Sequence, residues 1–255
     1  MEYILQNNTM LQNNTMLQNN TMLDGISHFI LSYLACFLLD KTAILLYNNN
    51  ISKFKKYTPY SQNIRWFFIH FIVNLYITIY GFNDLKYSLS HTSTCVFKKW
   101  TNGLDLYITV LTLHLYHIIH FKLNKMDWLH HVSMAIISGP LILLYNRTCI
   151  SVIGLWFTSG LPGAIDYFVL WLVKMGLCTS YFEKKLYVYI NVWLRSPGCI
   201  YAAVLQLPFL YNLDKYSYAE IVAKTWLTFI LFWNGQFFMH TTLKDYYRKK
   251  VVRLQ

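Results

Sequence analysis

The chain has 255 residues, of which 55% are hydrophobic and only 13% are charged, about half the charged fraction of an average soluble domain. This composition excludes an ordinary soluble enzyme and indicates a polytopic membrane protein. The net charge of +11 comes from basic residues dispersed between apolar runs, so it predicts membrane topology and no nucleic-acid partner.

The N-terminal region is repetitive, with three copies of Leu-Gln-Asn-Asn-Thr-Met over residues 5–22. A period of six matches neither a helix nor a strand, and asparagine-rich polar tracts are typical of disorder. Residues 1–25 are therefore predicted to be a disordered, low-complexity segment. Each copy also carries an Asn-x-Thr glycosylation acceptor, at Asn7, Asn13 and Asn19, which is usable if this end lies in a secretory lumen.

Seven apolar segments follow, and most are long enough to cross a hydrocarbon core of roughly 30 Å as helices. The predicted fold class is therefore an all-α polytopic membrane protein with about seven transmembrane helices. The first segment is unusual because Asp40 and Lys41 lie inside it. The segments are 26–47, 64–82, 104–121, 127–145, 149–175, 186–210 and 220–243.

Basic residues between the segments predict the orientation. With the N-terminus lumenal and the C-terminus cytosolic, most of the lysines and arginines outside the apolar segments fall on the cytosolic side, as the positive-inside rule requires. The acceptor Asn146-Arg147-Thr148 is then lumenal, whereas Asn50-Ile51-Ser52 is cytosolic and silent. Cys95 and Cys149 fall in lumenal loops, and whether they pair is left open.

Polar residues from at least five segments lie at similar depths in the cytosolic half. Counted at 1.5 Å per residue, His130 and His131 lie about 6–8 Å inside, and Asp166 and Arg195 about 13 Å inside. The matched depth of Asp166 and Arg195 predicts an ion pair, since neither charge is tolerated alone there. Together these residues predict a polar chamber reached from the cytosol, although each alone can be a helix–helix hydrogen-bonding group. The other members are His70, Asn74, His114, His117, His120, Asn234, Gln236 and His240.

Glycine and proline interrupt three of the apolar segments. The interruptions lie at 138–140, 154–163 and 196–198. Such breaks persist in a membrane where protein or a cavity satisfies the freed carbonyls. Close packing of helices at small residues is the alternative interpretation.

The spacing Asp127-x-x-His130-His131 indicates chemistry as well as structure. On a helix, Asp127 lies about 60° from His130 and about 40° from His131, so it can contact either. A carboxylate that fixes one imidazole nitrogen leaves the other free as a general base or a nucleophile in acyl transfer from a thioester. The sequence has no Gly-x-Ser-x-Gly elbow and no phosphate-binding glycine loop, so serine hydrolases and kinases are disfavoured.

Several stretches in order resemble the signature of the TLC-domain proteins, the group that contains the ceramide synthases. They are 116–121 (YHIIHF), 127–134 (DWLHHVSM), 146–147 (NR), 160–167 (GLPGAIDY), 174–175 (KM) and 233–238 (WNGQFF). The resemblance implies a TLC domain over 61–250 that forms a six-helix barrel around a lipid tunnel in the endoplasmic reticulum or another endomembrane. A first transmembrane helix with a basic cytosolic loop (26–60) would precede it, and a cytosolic tail (251–255) would follow it.

The resemblance also implies an activity, the transfer of an acyl chain from acyl-CoA to the amine of a membrane lipid of the sphingoid class. The catalytic residues would be His130 and His131, with Asp127 and Asp166. No bound cofactor is implied, because acyl-CoA would be a co-substrate and membrane lipids the partners. The candidate substrate-binding residues are His117, His120, Arg195 and Gln236.

The sequence departs from the ceramide synthases at two places, which leaves other functions open. A lone Asp166 stands where those enzymes have two aspartates, and Met134 is the third residue after His131 without the usual threonine. The chain is thus more similar to the wider TLC group, for which non-catalytic lipid binding or lipid homeostasis is the alternative. A di-iron lipid hydroxylase is a further alternative because histidines are abundant, but Asp127 stands where a third-position histidine is needed.

Overall fold

The structure is a computed structural model that describes the backbone of residues 2–50 and 62–254 and the side chains of residues 23–48 and 62–251. Several predictions fall outside these ranges. They are the basic loop that follows residue 50, the acceptor Asn50-Ile51-Ser52, the side chains of Asn7, Asn13 and Asn19, and most of the tail 251–255.

The described chain is helical apart from short connections, so the predicted all-α class is confirmed. Helical backbone covers each of the seven predicted apolar segments. With each kinked helix counted as one, the helices are α1 (Glu2–Asn50), α2 (Gln62–Ser90), α3 (Gly103–His120), α4 (Lys125–Tyr145), α5 (Cys149–Lys174), α6 (180–206) and α7 (Tyr218–Leu254). A 3₁₀ stretch, Leu207–Lys215, joins α6 to α7, and an isolated β-bridge pairs Lys99 with Thr148.

Four helices in the described part of the chain are long and apolar enough to cross a membrane. They are Leu23–Asn48 within α1, together with α2, α4 and α5. Large apolar side chains also cover the outside of the bundle; Leu31 is 64% exposed and Ile79 is 60% exposed. Exposed apolar surface of this kind is expected where lipid replaces water. These four helices support the predicted membrane class, whereas a count of seven crossings remains a prediction.

The first helix is longer than the apolar segment that predicted it. It begins at Glu2 and not near residue 26, so the backbone of residues 2–25 is helical where disorder was predicted. The hexapeptide repeat contains neither glycine nor proline, and its Leu, Met and Gln residues favour helix. The repeat therefore contains no residue that would interrupt a helix running back from the apolar segment toward the N-terminus.

Helices α4, α5 and α6 each contain a π-helical turn that ends two residues before a proline. The turns are His131–Ser138 before Pro140, Trp156–Gly160 before Pro162, and Asn191–Arg195 before Pro197. Proline has no N–H to donate and its ring crowds the carbonyl four residues earlier, so the helix widens at that point. The breaks predicted from glycine and proline are confirmed. Turns of this kind occur frequently at functional sites.

The helices pack with two distinct ends. At one end α2 begins, α3 ends and α4 begins, and the amide of Lys122 donates to Gln62 Oε1 at 3.3 Å. At the same end α6 begins and α7 approaches its end, and Lys249 Nζ donates to Ser180 Oγ at 2.8 Å. We call this the basic end, because it carries Lys122, Lys125, Lys174, Lys184 and Lys249.

The charge inside the first apolar segment is explained by its partners. Asp40 is 2% exposed, and Nε and Nη2 of Arg65 each donate to one of its carboxylate oxygens. Tyr116 Oη donates to Asp40 Oδ2 at 2.9 Å. A bidentate guanidinium and a phenol compensate the buried carboxylate. Asp40 thus joins α1 to α2 through Arg65 and to α3 through Tyr116.

The predicted acceptor at the opposite end is buried. Asn146 is 4% exposed, and its Oδ1 accepts from Thr148 Oγ1 at 3.2 Å and from Lys224 Nζ at 3.4 Å. It lies in the three-residue connection 146–148 between α4 and α5. The folded chain therefore has no room for a glycan on Asn146.

The two cysteines that were considered for a disulfide lie together in the fold. Cys95 and Cys149 are fully buried in one apolar cluster, and both thiols are free. The thiol of Cys149 donates to the carbonyl of Asp84, and that of Cys95 donates to the carbonyl of Thr92, each at 3.3 Å. Both thiols therefore help to close this end of the bundle as hydrogen-bonded core side chains.

Candidate functional site

A cavity of about 200 Å³, which we call the chamber, is lined by side chains from every helix from α2 to α7. Its wall includes His70 of α2, His114 of α3, His130 of α4 and Asp166 of α5. Met126, Asp127 and Leu129, in the first turns of α4, also line it, so the chamber reaches the basic end. A cavity that gathers polar side chains from six helices is therefore present, and its access from the cytosol stays a prediction.

A second cavity of about 80 Å³, which we call the inner cavity, continues from the chamber toward the opposite end. Its wall is mostly apolar and reaches Gln206, at the last turn of α6. The two cavities share Val110, His114, His130, Met134, Thr158, Ser159, Arg195 and Asn234. The chamber, which has the larger share of polar groups in its wall, and the more apolar inner cavity are thus joined at one ring of residues.

The π-helical turns place several residues of that ring. Met134 lies in the turn of α4, Thr158 and Ser159 lie in the turn of α5, and Arg195 ends the turn of α6. A π turn adds a residue to the helical turn, so the side chains around it leave the register of a regular α-helix. The three proline-linked irregularities therefore converge on the junction of the two cavities.

The rings of the paired histidines lie 5.7 Å apart, between their centroids, but they have different surroundings. His130 lines both cavities, and its ring has no hydrogen bond within the described residues. His131 lines neither cavity and is 1% exposed. Adjacent residues on a helix point about 100° apart, so only one member of the pair can face the chamber. The structure therefore gives the two histidines different environments.

His131 lies at the centre of a chain of three imidazoles. Its Nδ1 lies 2.7 Å from Nδ1 of His114, and its Nε2 lies 2.9 Å from Nδ1 of His117. A neutral imidazole donates from one nitrogen and accepts at the other. His131 therefore donates to one neighbour and accepts from the other, so the tautomers of the three rings are linked. Of the three, only His114 lines the cavities.

Asp127 has a different partner from the one predicted. Its Oδ2 accepts from the amide of Asn124 at 2.9 Å, and Asn124 Oδ1 accepts from the amides of Met126 at 2.8 Å and Asp127 at 3.0 Å. This reciprocal capping box satisfies amides that have no partner inside the helix. The prediction that Asp127 fixes a histidine is wrong, because α4 begins at Lys125 and Asp127 completes its cap.

Asp166 and Arg195 both line the chamber, but they do not form the predicted ion pair. Arg195 Nη2 donates to Asn234 Oδ1 at 3.1 Å, and Nη1 donates to Tyr187 Oη at 3.4 Å. The guanidinium also stacks on the ring of Phe238, 4.0 Å from its centroid. The depth of the two residues was matched, but their rotation about α5 and α6 was not predictable from counting.

Both charged groups keep unused hydrogen-bonding capacity. Asp166 Oδ1 and Arg195 Nε are buried and have no hydrogen-bond partner in the described part of the chain. A buried polar atom without a partner costs free energy, so such atoms call for a ligand or water. The chamber therefore offers an acceptor on Asp166 and a donor on Arg195.

The remaining predicted binding residues lie outside the chamber wall. His117 stacks on Trp66 behind His131. His120 is exposed and lies 2.8 Å from Tyr33 Oη of α1, through its Nε2. Gln236 Nε2 donates to Ser196 Oγ at 3.0 Å between α7 and α6. Of the four predicted binding residues, the structure places only Arg195 on the wall.

Several wall residues were absent from the predicted site. His114 and Asn234 had been noted only as members of the polar layer, and Tyr187 and Gln206 had not been noted at all. An isolated tyrosine or glutamine in an apolar segment has no spacing that identifies it. The position of His114, seventeen residues before His131 to which it bonds, is a tertiary feature.

No family model, no curated protein and no solved structure matches this chain. Within the described residues, no group of three or more histidine, cysteine, aspartate or glutamate side chains is arranged to hold a metal ion. The site is therefore interpreted from its own geometry.

Proposed function

We propose that the chain is a TLC-domain membrane protein that binds a lipid in the chamber and the inner cavity and acylates it. The observation that carries this proposal is the junction of the two cavities. A space whose wall carries several polar side chains, among them an unbonded imidazole, opens there into a space with a more apolar wall within the bundle. Ligand sites of this kind, apolar with a few convergent polar groups, are typical of binding and catalytic pockets.

The proposed topology places all seven helices across the membrane of the endoplasmic reticulum or another endomembrane, with the N-terminus lumenal. The basic end then faces the cytosol, in agreement with the positive-inside rule. The walls of the chamber come from α2 to α7 and not from α1. This arrangement supports a six-helix barrel to which α1 is added.

In the proposed reaction His130 is the general base. It takes the proton of the acceptor amine or hydroxyl as that group attacks the thioester carbonyl of acyl-CoA. The new C–N or C–O bond forms, the C–S bond breaks, and the proton passes to the leaving thiolate. His114 is next to His130 in the wall, and the bonds from His114 through His131 to His117 orient the His114 ring.

The charged groups of the chamber are proposed to orient the substrate. Asp166 Oδ1 can accept from an ammonium or hydroxyl of the acceptor, and Arg195 Nε can donate to an oxygen of the acyl donor. Both groups line the same chamber as His130. This arrangement suits an amino lipid of the sphingoid class as the acceptor.

The test is acyl transfer in membranes that contain the protein, with labelled acyl-CoA and a set of amino and hydroxyl lipids. We expect a labelled lipid product with the unaltered protein and at least a hundredfold lower rate with His130→Ala, in line with the usual contribution of a general base. His240→Ala is the matched control, because His240 is exposed and lies outside both cavities. Equal rates for His130→Ala and the unaltered protein would refute the catalytic role.

Non-catalytic lipid binding is the second candidate, and one observation favours it. The carboxylate expected to orient a histidine, Asp127, is engaged in the cap of α4. In that case a lipid copurifies with the protein and no acyl chain is transferred in multiple turnovers. Lipid extraction and mass analysis of the purified protein separate this candidate from the enzyme.

The di-iron hydroxylase receives no support from the geometry. His131 uses both of its ring nitrogens on His114 and His117, so its ring has no nitrogen left for a metal. His120 lies against α1 and not beside the chamber. The histidines that suggested iron ligands in the sequence therefore lie in different surroundings and do not face one common site.

A further inference from the structure

The inner cavity contains an unusual polar group at its far end. Gln206 is 3% exposed and lines this cavity, yet neither Nε2 nor Oε1 has a hydrogen-bond partner within the described residues. Buried amides are nearly always hydrogen-bonded, because each unmade bond costs free energy. A residue that lines a cavity and has both amide functions unused indicates a ligand that supplies both partners.

The other polar groups around this part of the inner cavity already have protein partners. Tyr107 Oη donates to the carbonyl of Ser151 at 2.8 Å, and Ser151 Oγ donates to the carbonyl of Asn146. Asn146 Oδ1 in turn accepts from Lys224. Gln206 differs from these residues, because neither function of its amide has a protein partner in the described part of the chain.

The depth of Gln206 sets the length of that ligand. Arg195 lies at the junction of the two cavities, and Gln206 lies eleven residues later on the regular α-helical part of α6. At 1.5 Å per residue the separation is about 16 Å along the helix axis. An extended chain advances roughly 1.2 Å per covalent bond, so about 13 bonds span this distance.

We propose that the inner cavity binds a fatty acyl chain that carries a hydroxyl group at its far end, and that Gln206 recognises this hydroxyl. A hydroxyl donates to Oε1 and accepts from Nε2, so one group satisfies both functions of the amide. The apolar wall contacts the methylenes, and the carboxyl end lies at Arg195. This inference rests on the proposal that the two cavities hold a lipid.

The experiment compares two probe acids with the purified full-length protein in detergent micelles. The probes are tetradecanoic acid and its analogue hydroxylated on the last carbon, and binding is measured by displacement of a labelled fatty acid. We expect the hydroxylated acid to bind about tenfold more tightly, a difference that corresponds to about 1.4 kcal/mol. In Gln206→Leu and Gln206→Met, which keep the volume and remove both polar atoms, the preference should disappear or reverse.

Each outcome has a defined meaning. Binding of plain tetradecanoic acid by the variants shows that they are folded, and a preference for the hydroxylated acid that is confined to the unaltered protein supports the proposal. Equal affinity for both acids in the unaltered protein would overturn it while leaving lipid binding intact, with water as the partner of Gln206. If neither acid binds the unaltered protein, both proposals are overturned.

Discussion

Replacement of His131 by alanine is expected to reduce the stability of the fold more than replacement of His130. His131 is fully buried and bonds to His114 and His117, so its removal leaves two buried ring nitrogens without partners. At about 1–3 kcal/mol for each of the two unsatisfied nitrogens, the free energy of unfolding should fall by about 2–6 kcal/mol. His130 has no hydrogen bond to its ring in the described part of the chain, so His130→Ala should cost less than about 1 kcal/mol.

The two variants should also differ in the assays that detect them. Equilibrium unfolding in mixed micelles, followed by tryptophan fluorescence, should give a lower free energy of unfolding for His131→Ala than for the unaltered protein. The value for His130→Ala should be close to that of the unaltered protein. In the acyl-transfer assay, the rate per folded molecule should be lower for His130→Ala than for His131→Ala. Equal unfolding free energies for the two variants, or a lower value for His130→Ala, would refute the different environments assigned to the two histidines.

Three further predictions concern the framework around the site. Asp40→Leu should reduce the free energy of unfolding by about 3 kcal/mol. Adding Arg65→Met should recover part of this loss, because removing both partners of a buried ion pair costs less than removing one. A double variant whose loss equals the sum of the two single losses would contradict this. Asn124→Ala should cost about 1 kcal/mol through loss of the cap of α4, measured by the same unfolding assay, and no loss would contradict the capping box. Asn146 should carry no glycan, so a glycosidase-sensitive mass shift that Asn146→Gln abolishes would show that its burial is wrong.

Those parts of the fold that depend on local chemistry were predictable from the sequence. Apolar runs of the right length identified the positions of the helices, and glycine and proline identified the three breaks. Proline acts within its own turn, so Pro140, Pro162 and Pro197 determine where their helices widen regardless of the rest of the chain. The convergence of the three π turns on one junction, in contrast, depends on how the helices pack.

The site was predictable in position but not in its contacts. Depth counted along a helix placed His130, Asp166 and Arg195 in one layer, and all three line the chamber. Counting gives no rotation about the helix axis, so it paired Asp166 with Arg195 where the structure pairs Arg195 with Asn234. For the same reason, counting could not show which of the two adjacent histidines faces the chamber.

Asp127 shows how two local patterns can compete for one side chain. Asn124 and Asp127 have the spacing of a capping box, and Asp127 and His130 have the spacing of a helical pair. The cap prevails because α4 begins at Lys125, where amides need partners and no helix precedes them. The sequence contains both patterns, and only the start of the helix decides between them.

The most direct test of a lipid inside the bundle is photo-crosslinking with a fatty acid that carries a diazirine in the middle of its chain. After irradiation of the full-length protein in membranes, mass spectrometry of the peptides locates the adducts. We expect adducts on residues of the inner cavity, such as Leu111, Met134 and Leu227, that an excess of unlabelled fatty acid removes. Adducts confined to lipid-exposed residues such as Leu31 and Ile79, and unaffected by competitor, would contradict it.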